Sequence, residues 1–512
     1  MSRRPILSVL AAATLLAGSV AGASSASALA SGARTLPVTV TATGGPVIPT
    51  TDPTATELVG LTGTVVPDAT GTYYPLAMAK RLLDTRSNGG APLAGGSTTA
   101  VTVTGTSGIP ATGVSAVVLN VTAVNTTVDG GYFTVYPGGG VPRPTASTVN
   151  FPKAWTGANM ATVPVGSDGR VRLYNYGGRA HAVVDVLGWY AQDDTVRAAH
   201  GMGAQFLSTG SGDPERIYDS RLDESASFQP FLGGEYVEFQ DTWASESAAT
   251  AVQAYAMTIT AVGATSEGVL TAWAGGGAAK PTASTVNYQK GVIAPNMAVV
   301  PAGHYGPTDT GFRVLNTGSG TVHVVVDITG YYVTDDSPGM RFRPLSAPKR
   351  ILDTRKATGL SGAFGARAQR DAPTGSVASA DSVYVVGNTT GILPTVRTYL
   401  TVWSGENARP TSSNLNVNPG LVRAVSTYAP LAHDATSGAP TYRLYNDAGS
   451  MHVAFDAAGT LDLYPGQALL GSGAPVAGGP DAPTSDRTAA GRTLTDVGTF
   501  AAPPERTTSR RG

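Results

Sequence analysis

In the stretch HAVVDVLGWY (181–190) an imidazole and a carboxylate stand four residues apart, at His181 and Asp185, and the same spacing returns at His323/Asp327 and His452/Asp456. A histidine beside an aspartate is the raw material of a general-base dyad or of a metal site. On an extended strand, however, four steps of about 3.3 Å set the two side chains on one face but about 13 Å apart. A helix would bring them together, but HVVVDITGYY (323–332) is β-branched and aromatic and favours a strand. The pair is therefore not a local dyad.

Two other chemistries use residues present here. Ser147, Ser284 and Ser413 recur at one position and could join a histidine in a triad, yet none lies in a Gly-x-Ser-x-Gly elbow. Glycoside hydrolysis needs two carboxylates roughly 5–10 Å apart. The first repeated segment offers Asp84 and Asp185, while Asp129 and Asp168 precede glycines as turn residues. The acid-rich stretch DPERIYDSRLDESASF (213–228) adds Asp219, Asp223 and Glu224, which could bind Ca²⁺ or serve a hydrolase, though a solvated loop explains them as well. No P-loop, dinucleotide fingerprint or His-Glu-x-x-His occurs, and no cofactor or metal is expected.

The elements that must position these residues come in three copies. RLLDTR (81–86) returns as RIYDSR (216–221) and RILDTR (350–355), and PTASTVNF (144–151) as PTASTVNY (281–288) and PTSSNLNV (410–417). GANMATVPVG (157–166) is matched by APNMAVVPAG (294–303) and RAVSTYAPLA (423–432). The order is constant, which gives tandem units at 80–190, 214–333 and 349–465, each of domain size. Within a unit the apolar period is two: VTVTG, SAVVLNVTAV, YFTVYPG and RVRLYN read as strands bounded by Gly, Pro and Asn. The expected fold is all-β, an antiparallel sandwich in each unit, with a closed barrel or propeller-like repetition as alternatives. Stretches 191–213 and 333–349 read as linkers, 31–79 as an extended segment, and 466–512 as a disordered tail.

RLLDTR, the V-V-L-N-V-T strand, Pro-x-x-Ser-x-x-Asn and L-Y-N…H-x-x-x-D-x-x-G-Y-Y together resemble a tandem repeat of exported proteins from high-GC Gram-positive (actinobacterial) bacteria, over roughly 81–190, 215–332 and 350–459. There the repeats stand alone or accompany catalytic domains acting on cell wall or polysaccharide. The resemblance implies a cell-surface setting and assigns no chemistry to the repeat. Two departures stand out: Thr258 replaces the asparagine of Asn120 and Asn388, and the third unit closes with Gly459-Thr460-Leu461.

Residues 1–30 carry Arg3 and Arg4, an apolar run from Ile6 to Val20, and small residues before Ala30, the pattern of a secretory signal peptide. Ser2-Arg3-Arg4 also fits twin-arginine export. Zero cysteines exclude disulfides and thiolate chemistry. A formal net charge of −1 gives no reason to expect nucleic acid or an anionic membrane as partner, and no later window is apolar enough to span a bilayer.

A carboxylate in a strand as apolar as that around Asp185 needs a partner. Alternation along RLLDTR sets Asp84 and Arg86 on one face and Arg81, Leu83 and Thr85 on the other. Arg81 or Arg86 is expected to pair with Asp185, Arg216 or Arg221 with Asp327, and Arg350 or Arg355 with Asp456. With Asp219, Asp353, His181, His323 and His452 these form a structural polar network. Among the aromatics, Tyr136, Trp273 and Trp403 share a strand position that reads as core. In the adjacent pairs Trp189-Tyr190 and Tyr331-Tyr332 alternation turns one ring outward, the candidate for stacking on a sugar. The expected protein is exported and non-catalytic and binds cell-wall or extracellular polysaccharide. The alternatives are a secreted hydrolase active in its second unit and a structural or adhesive surface protein that binds other proteins.

Overall fold

The computed structural model describes residues 68–463 except 88, 223–228, 335–338 and 434–437, together with the short strands Val38–Val40, Arg492–Leu494 and Gly498–Thr499. The signal-peptide segment, Asp223, Glu224, and all of 31–67 and 466–512 other than those strands lie outside the described residues. Arg492–Leu494 pairs with Val38–Val40 and with Glu235–Thr242.

The longest apolar runs become central strands buried on both faces. Val114–Val124 pairs antiparallel with Arg179–Ala191 on one side and Gly157–Pro164 on the other, and Tyr73–Asp84 closes the edge. One set of alternate residues, Val117, Leu119, Val121 and Ala123, faces a second antiparallel sheet of Thr98–Thr102, Arg170–Asn175, Gly131–Pro137 and Val149–Phe151. The core between the two sheets includes Phe133, Val135, Phe151, Val171 and Leu173. This is a sandwich; no sheet closes into a barrel. The second and third copies repeat the arrangement around Val252–Val262 and Ser382–Ile392.

The other alternate set points at a shared centre. Ala116, Val118, Tyr190, Ala254, Ala256, Tyr332, Tyr384 and Val386 belong to one apolar cluster drawn from all three copies. We call the sheets that face it inner and the others outer. The first strands of the copies meet there in a ring. Tyr73 and Ala204 exchange backbone hydrogen bonds of 2.8 Å each way, Phe206 pairs with Met340, and Phe342 N–H donates to the Gly71 carbonyl at 2.9 Å. The stretches expected to be linkers thus supply ring strands: Gln205–Ser208 lies in one, and Met340–Asp353 begins in the other.

The ring explains the glycine of the Gly-aromatic-Tyr closure. A Cβ on Gly188 would lie 2.2 Å from the Tyr73 hydroxyl, on Gly330 2.5 Å from the Phe206 ring, and on Gly459 2.6 Å from the Phe342 ring. In each copy the ring-strand aromatic occupies the space that a side chain there would take. Tyr190 and Tyr332 meet at the centre with hydroxyls 2.5 Å apart. The third copy has Leu461 there, and its hydroxyl comes instead from Tyr428, 3.1 Å from Tyr332 and 3.3 Å from Tyr190.

Candidate functional site

The RLLDTR strand and the His–Asp strand lie side by side, and a bulge decides how they meet. Asp185 pairs with Arg81 and Val184 with Leu83, so Leu82 is the extra residue; Ile217 and Ile351 are extra in the other copies. A bulge breaks alternation. It brings Arg81 to the same side as Asp84, where plain alternation had set them on opposite faces. Arg81 grips Asp185 with two bonds, Nε to Oδ1 at 2.9 Å and Nη2 to Oδ2 at 3.2 Å, and reaches Asp84 through Nη1 at 3.0 Å. Arg86 folds back on Asp84 through its backbone N–H, Nε and Nη2. Arg216, Asp219, Arg221 and Asp327 repeat the chain, as do Arg350, Asp353, Arg355 and Asp456.

These contacts set the charges. The Arg86 hydrogen bond holds Asp84 well below the usual carboxylate range. Burial opposes ionisation of Asp219 and Asp353, but the bonds and charges of Arg221 with Arg216, and of Arg355 with Arg350, outweigh it and lower both. At Asp185 and Asp327 burial wins over the arginine and the values rise. Two carboxylates so engaged have no free oxygen to offer a glycosidic bond, and Asp219, the described one of Asp219, Asp223 and Glu224, is held by two arginines.

Each histidine turns away from its aspartate. His181 Nδ1 lies 3.0 Å from Thr85 Oγ1, His323 Nδ1 3.0 Å from Ser220 Oγ, and His452 Nδ1 2.9 Å from Thr354 Oγ1. Each hydroxyl also accepts a backbone N–H, from Ala182, Val324 or Val453, so it ties the ring to the neighbouring strand. A hydroxyl–imidazole pair is half of a nucleophilic site. Here the hydroxyls are buried, at 8% exposure for Thr85 and 2% for Ser220 and Thr354, where no carbonyl substrate could reach them. They clip the strand end. Residue spacing had pointed to Ser147, Ser284 and Ser413, which instead donate to Asn150, Asn287 and Asn416.

The serine motif and the Asn-Met strand join copy to copy, a use the sequence reading missed. Asn120 Nδ2 donates to the Ser284 carbonyl at 2.6 Å, and Asn296 Nδ2 donates to Asn120 Oδ1 at 3.0 Å. Asn159 Nδ2 donates to Asn388 Oδ1 at 3.0 Å, while Asn388 Nδ2 reaches the Ser147 carbonyl at 3.4 Å. At the remaining junction both asparagines are absent: Thr258 and Val425 stand in their places. Arg423 instead donates across to the Ile293 and Pro295 carbonyls. That paired departure was the signal available in the sequence.

None of the paired aromatics is an exposed ring. Alternation does separate them, but both faces of the strand are covered. Trp189 (2% exposed) stacks on Tyr74 in the first sandwich core, while Tyr190 and Tyr332 (0% and 1%) fill the shared centre. Tyr331 is half-buried against Trp243 and Tyr255. Rings reach solvent on the outer sheet instead. In the first copy Tyr136 lies across from Arg172 and Thr134 from Tyr174, and the Tyr176 N–H donates to the Tyr132 carbonyl. Tyr132 and Tyr176 stack at 4.5 Å with 9° between planes, Tyr176 is 55% exposed, and the exposed Arg143 lies 3.8 Å over the Tyr174 ring. The third copy has Trp403 opposite Arg443 and Thr401 opposite Tyr445, then Tyr399, with Arg409 3.6 Å over Tyr445. In the second copy the matching positions hold Val269, Leu315 and Thr317, and Arg313 is held by the buried Glu238, which also accepts from the Tyr305 hydroxyl.

No protein-family model matches the chain, and no curated protein does. Among solved structures it is similar to a chain from the atomic structure of Sulfolobus turreted icosahedral virus, at 10% identity over 76% of this chain and 92% of that one, with a TM-score of 0.15. A score that low carries no argument about fold or role.

Proposed function

We propose that this is an exported, non-catalytic protein of the cell surface, related to the actinobacterial tandem repeat it resembles, and that it binds cell-wall or extracellular polysaccharide. The observation that carries the reading is how the recurrent polar residues are spent. The arginines, aspartates and histidines lock strand to strand, and the serine and asparagine motifs lock copy to copy. The recurrent polar residues are scaffold, and the exposed rings lie on the outer sheets, so recognition falls to that surface. Presenting several weak sites on one rigid body raises avidity without a new type of contact.

The test is retention of the purified protein on insoluble peptidoglycan, chitin and cellulose, with turnover of the same glycans followed in parallel. Retention without released sugar is expected. Failure to be retained by any glycan would leave the protein-binding adhesive reading in its place. Sugar release that disappears on Asp219→Asn would establish the hydrolase alternative.

A further inference from the structure

We infer that the outer sheets of the first and third copies carry two shelves for an acidic polysaccharide. Sugar rings stack on Tyr132 and Tyr176 in one and on Tyr399 in the other, and carboxylates are met by Arg143 and Arg409. The inference rests on the polysaccharide reading above and gives it a site and a ligand class.

The second copy is the internal control. It forms the same strands with the same pairings while holding Val269, Leu315 and Thr317 at these positions. The fold therefore does not require tyrosines there. Nor does burial account for them: Tyr176 is among the most exposed large hydrophobic side chains described, and its stacked partner Tyr132 is only half-buried. Two flat rings held parallel on a rigid sheet present an apolar face at little conformational cost, the feature a pyranose ring recognises.

The sign of the ligand follows from the guanidiniums. Arg143 and Arg409 are exposed and lie over Tyr174 and Tyr445, and among the described residues neither has an ion-pair partner. This contrasts with the neighbouring strand arginines, which are neutralised in place: Arg172 by Asp168 and Arg443 by Asp371. An arginine pre-oriented on an aromatic face and still short of an anion is suited to a carboxylate. The second copy has Lys280 at the corresponding position and no tyrosine beneath it. Nucleic acid also stacks on rings, but it calls for a wide basic field, and the chain carries a formal net charge of −1.

The experiment is affinity electrophoresis of the full chain in gels containing polygalacturonate or a neutral β-glucan. The wild type is expected to be retarded more by polygalacturonate. Tyr132→Ala with Tyr176→Ala should weaken binding about tenfold, the size of one lost stacking contact, and adding Tyr399→Ala should remove most of the rest. Arg143→Gln with Arg409→Gln should erase the preference for the acidic polymer. Val269→Ala with Lys280→Gln in the second copy should change nothing, and unchanged melting temperatures show that every variant is folded. If the tyrosine variants bind like the wild type, the shelves are wrong while the polysaccharide reading stands. If the wild type binds no glycan, both fall. Binding of single-stranded DNA or of a protein ligand in place of glycan would also overturn the inference.

Discussion

Asn159 and Asn388 are 229 residues apart in the chain, yet their side chains share a 3.0 Å hydrogen bond at the junction between the first and third copies. Asn159 is 1% exposed, and it also donates to the Thr148 carbonyl and accepts from the Ser426 N–H. Asn159→Ala leaves several buried groups without partners and is expected to cost about 1–3 kcal/mol for each group left unsatisfied. A double-mutant cycle with Asn388→Ala, read by chemical denaturation, should give a coupling of about 0.5–3 kcal/mol. Strict additivity would mean that the two asparagines do not interact.

The junction between the second and third copies lacks this ladder, because Thr258 and the buried Val425 stand where the other copies have asparagines. Thr258→Asn together with Val425→Asn should restore it and raise stability by about 0.5–1.5 kcal/mol per bond regained, provided the Arg423 side chain keeps its own bonds. Neither single substitution should suffice. A double variant no more stable than its better parent in thermal melts would show that Arg423 already does the work of the ladder.

Arg81→Met strands Asp185, which is 1% exposed, and should destabilise the protein by about 3–5 kcal/mol at neutral pH. Asp185→Asn in the Arg81→Met background removes the isolated charge and should recover a large part of the loss. Equal melting temperatures for Arg81→Met and wild type would leave the pair without energetic weight.

Acid should act through the carboxylates held low. Asp84, Asp219 and Asp353 bind protons less readily folded than unfolded, so their contribution is complete above about pH 4 and is lost as the pH falls below it toward their folded values. Asp185 and Asp327 work in the opposite sense. Their raised values mean that the folded state takes up protons first, so their share grows as the pH falls through the folded values and is complete near pH 4. Stability measured by urea titration should therefore be flat or rise slightly on mild acidification and then drop steeply below about pH 4. Asp84→Asn should shallow the drop.

A side chain at the strand glycine should be rejected. In Gly459→Ala the new Cβ would meet the Phe342 ring at 2.6 Å and the Arg343 carbonyl oxygen at 2.4 Å. The expected cost is at least the 1–3 kcal/mol of ordinary overpacking. Because the carbonyl cannot withdraw, shrinking the ring by Phe342→Leu should not rescue it. Full rescue in a melting experiment would place the constraint in the ring alone.

Much of this was legible in the residues. Period-two runs and turn glycines gave the sandwich, and a charged Asp185 between Val184 and Val186 called for the arginine strand. The bulge at Leu82 was not legible, because a strand with one extra residue keeps an unremarkable composition; without it Arg81 could not hold Asp84 and Asp185 together. Nor was the second covered face of the inner sheets. Trp189-Tyr190 looks half-exposed in any single copy, and only packing against the other copies buries both rings. The compensations were there to be found: Leu461 appears with Tyr428, and Thr258 with Val425.

The return of Phe342 to Gly71 fixes copy number. A linear array could lengthen by gene duplication, each newcomer stacking on the last. Here a fourth copy would find every seat at the hub already taken, and loss of one would open the aromatic centre to water. Diversification of such a chain is therefore channelled outward, into the loops and rim residues that each sandwich can alter without consulting its neighbours.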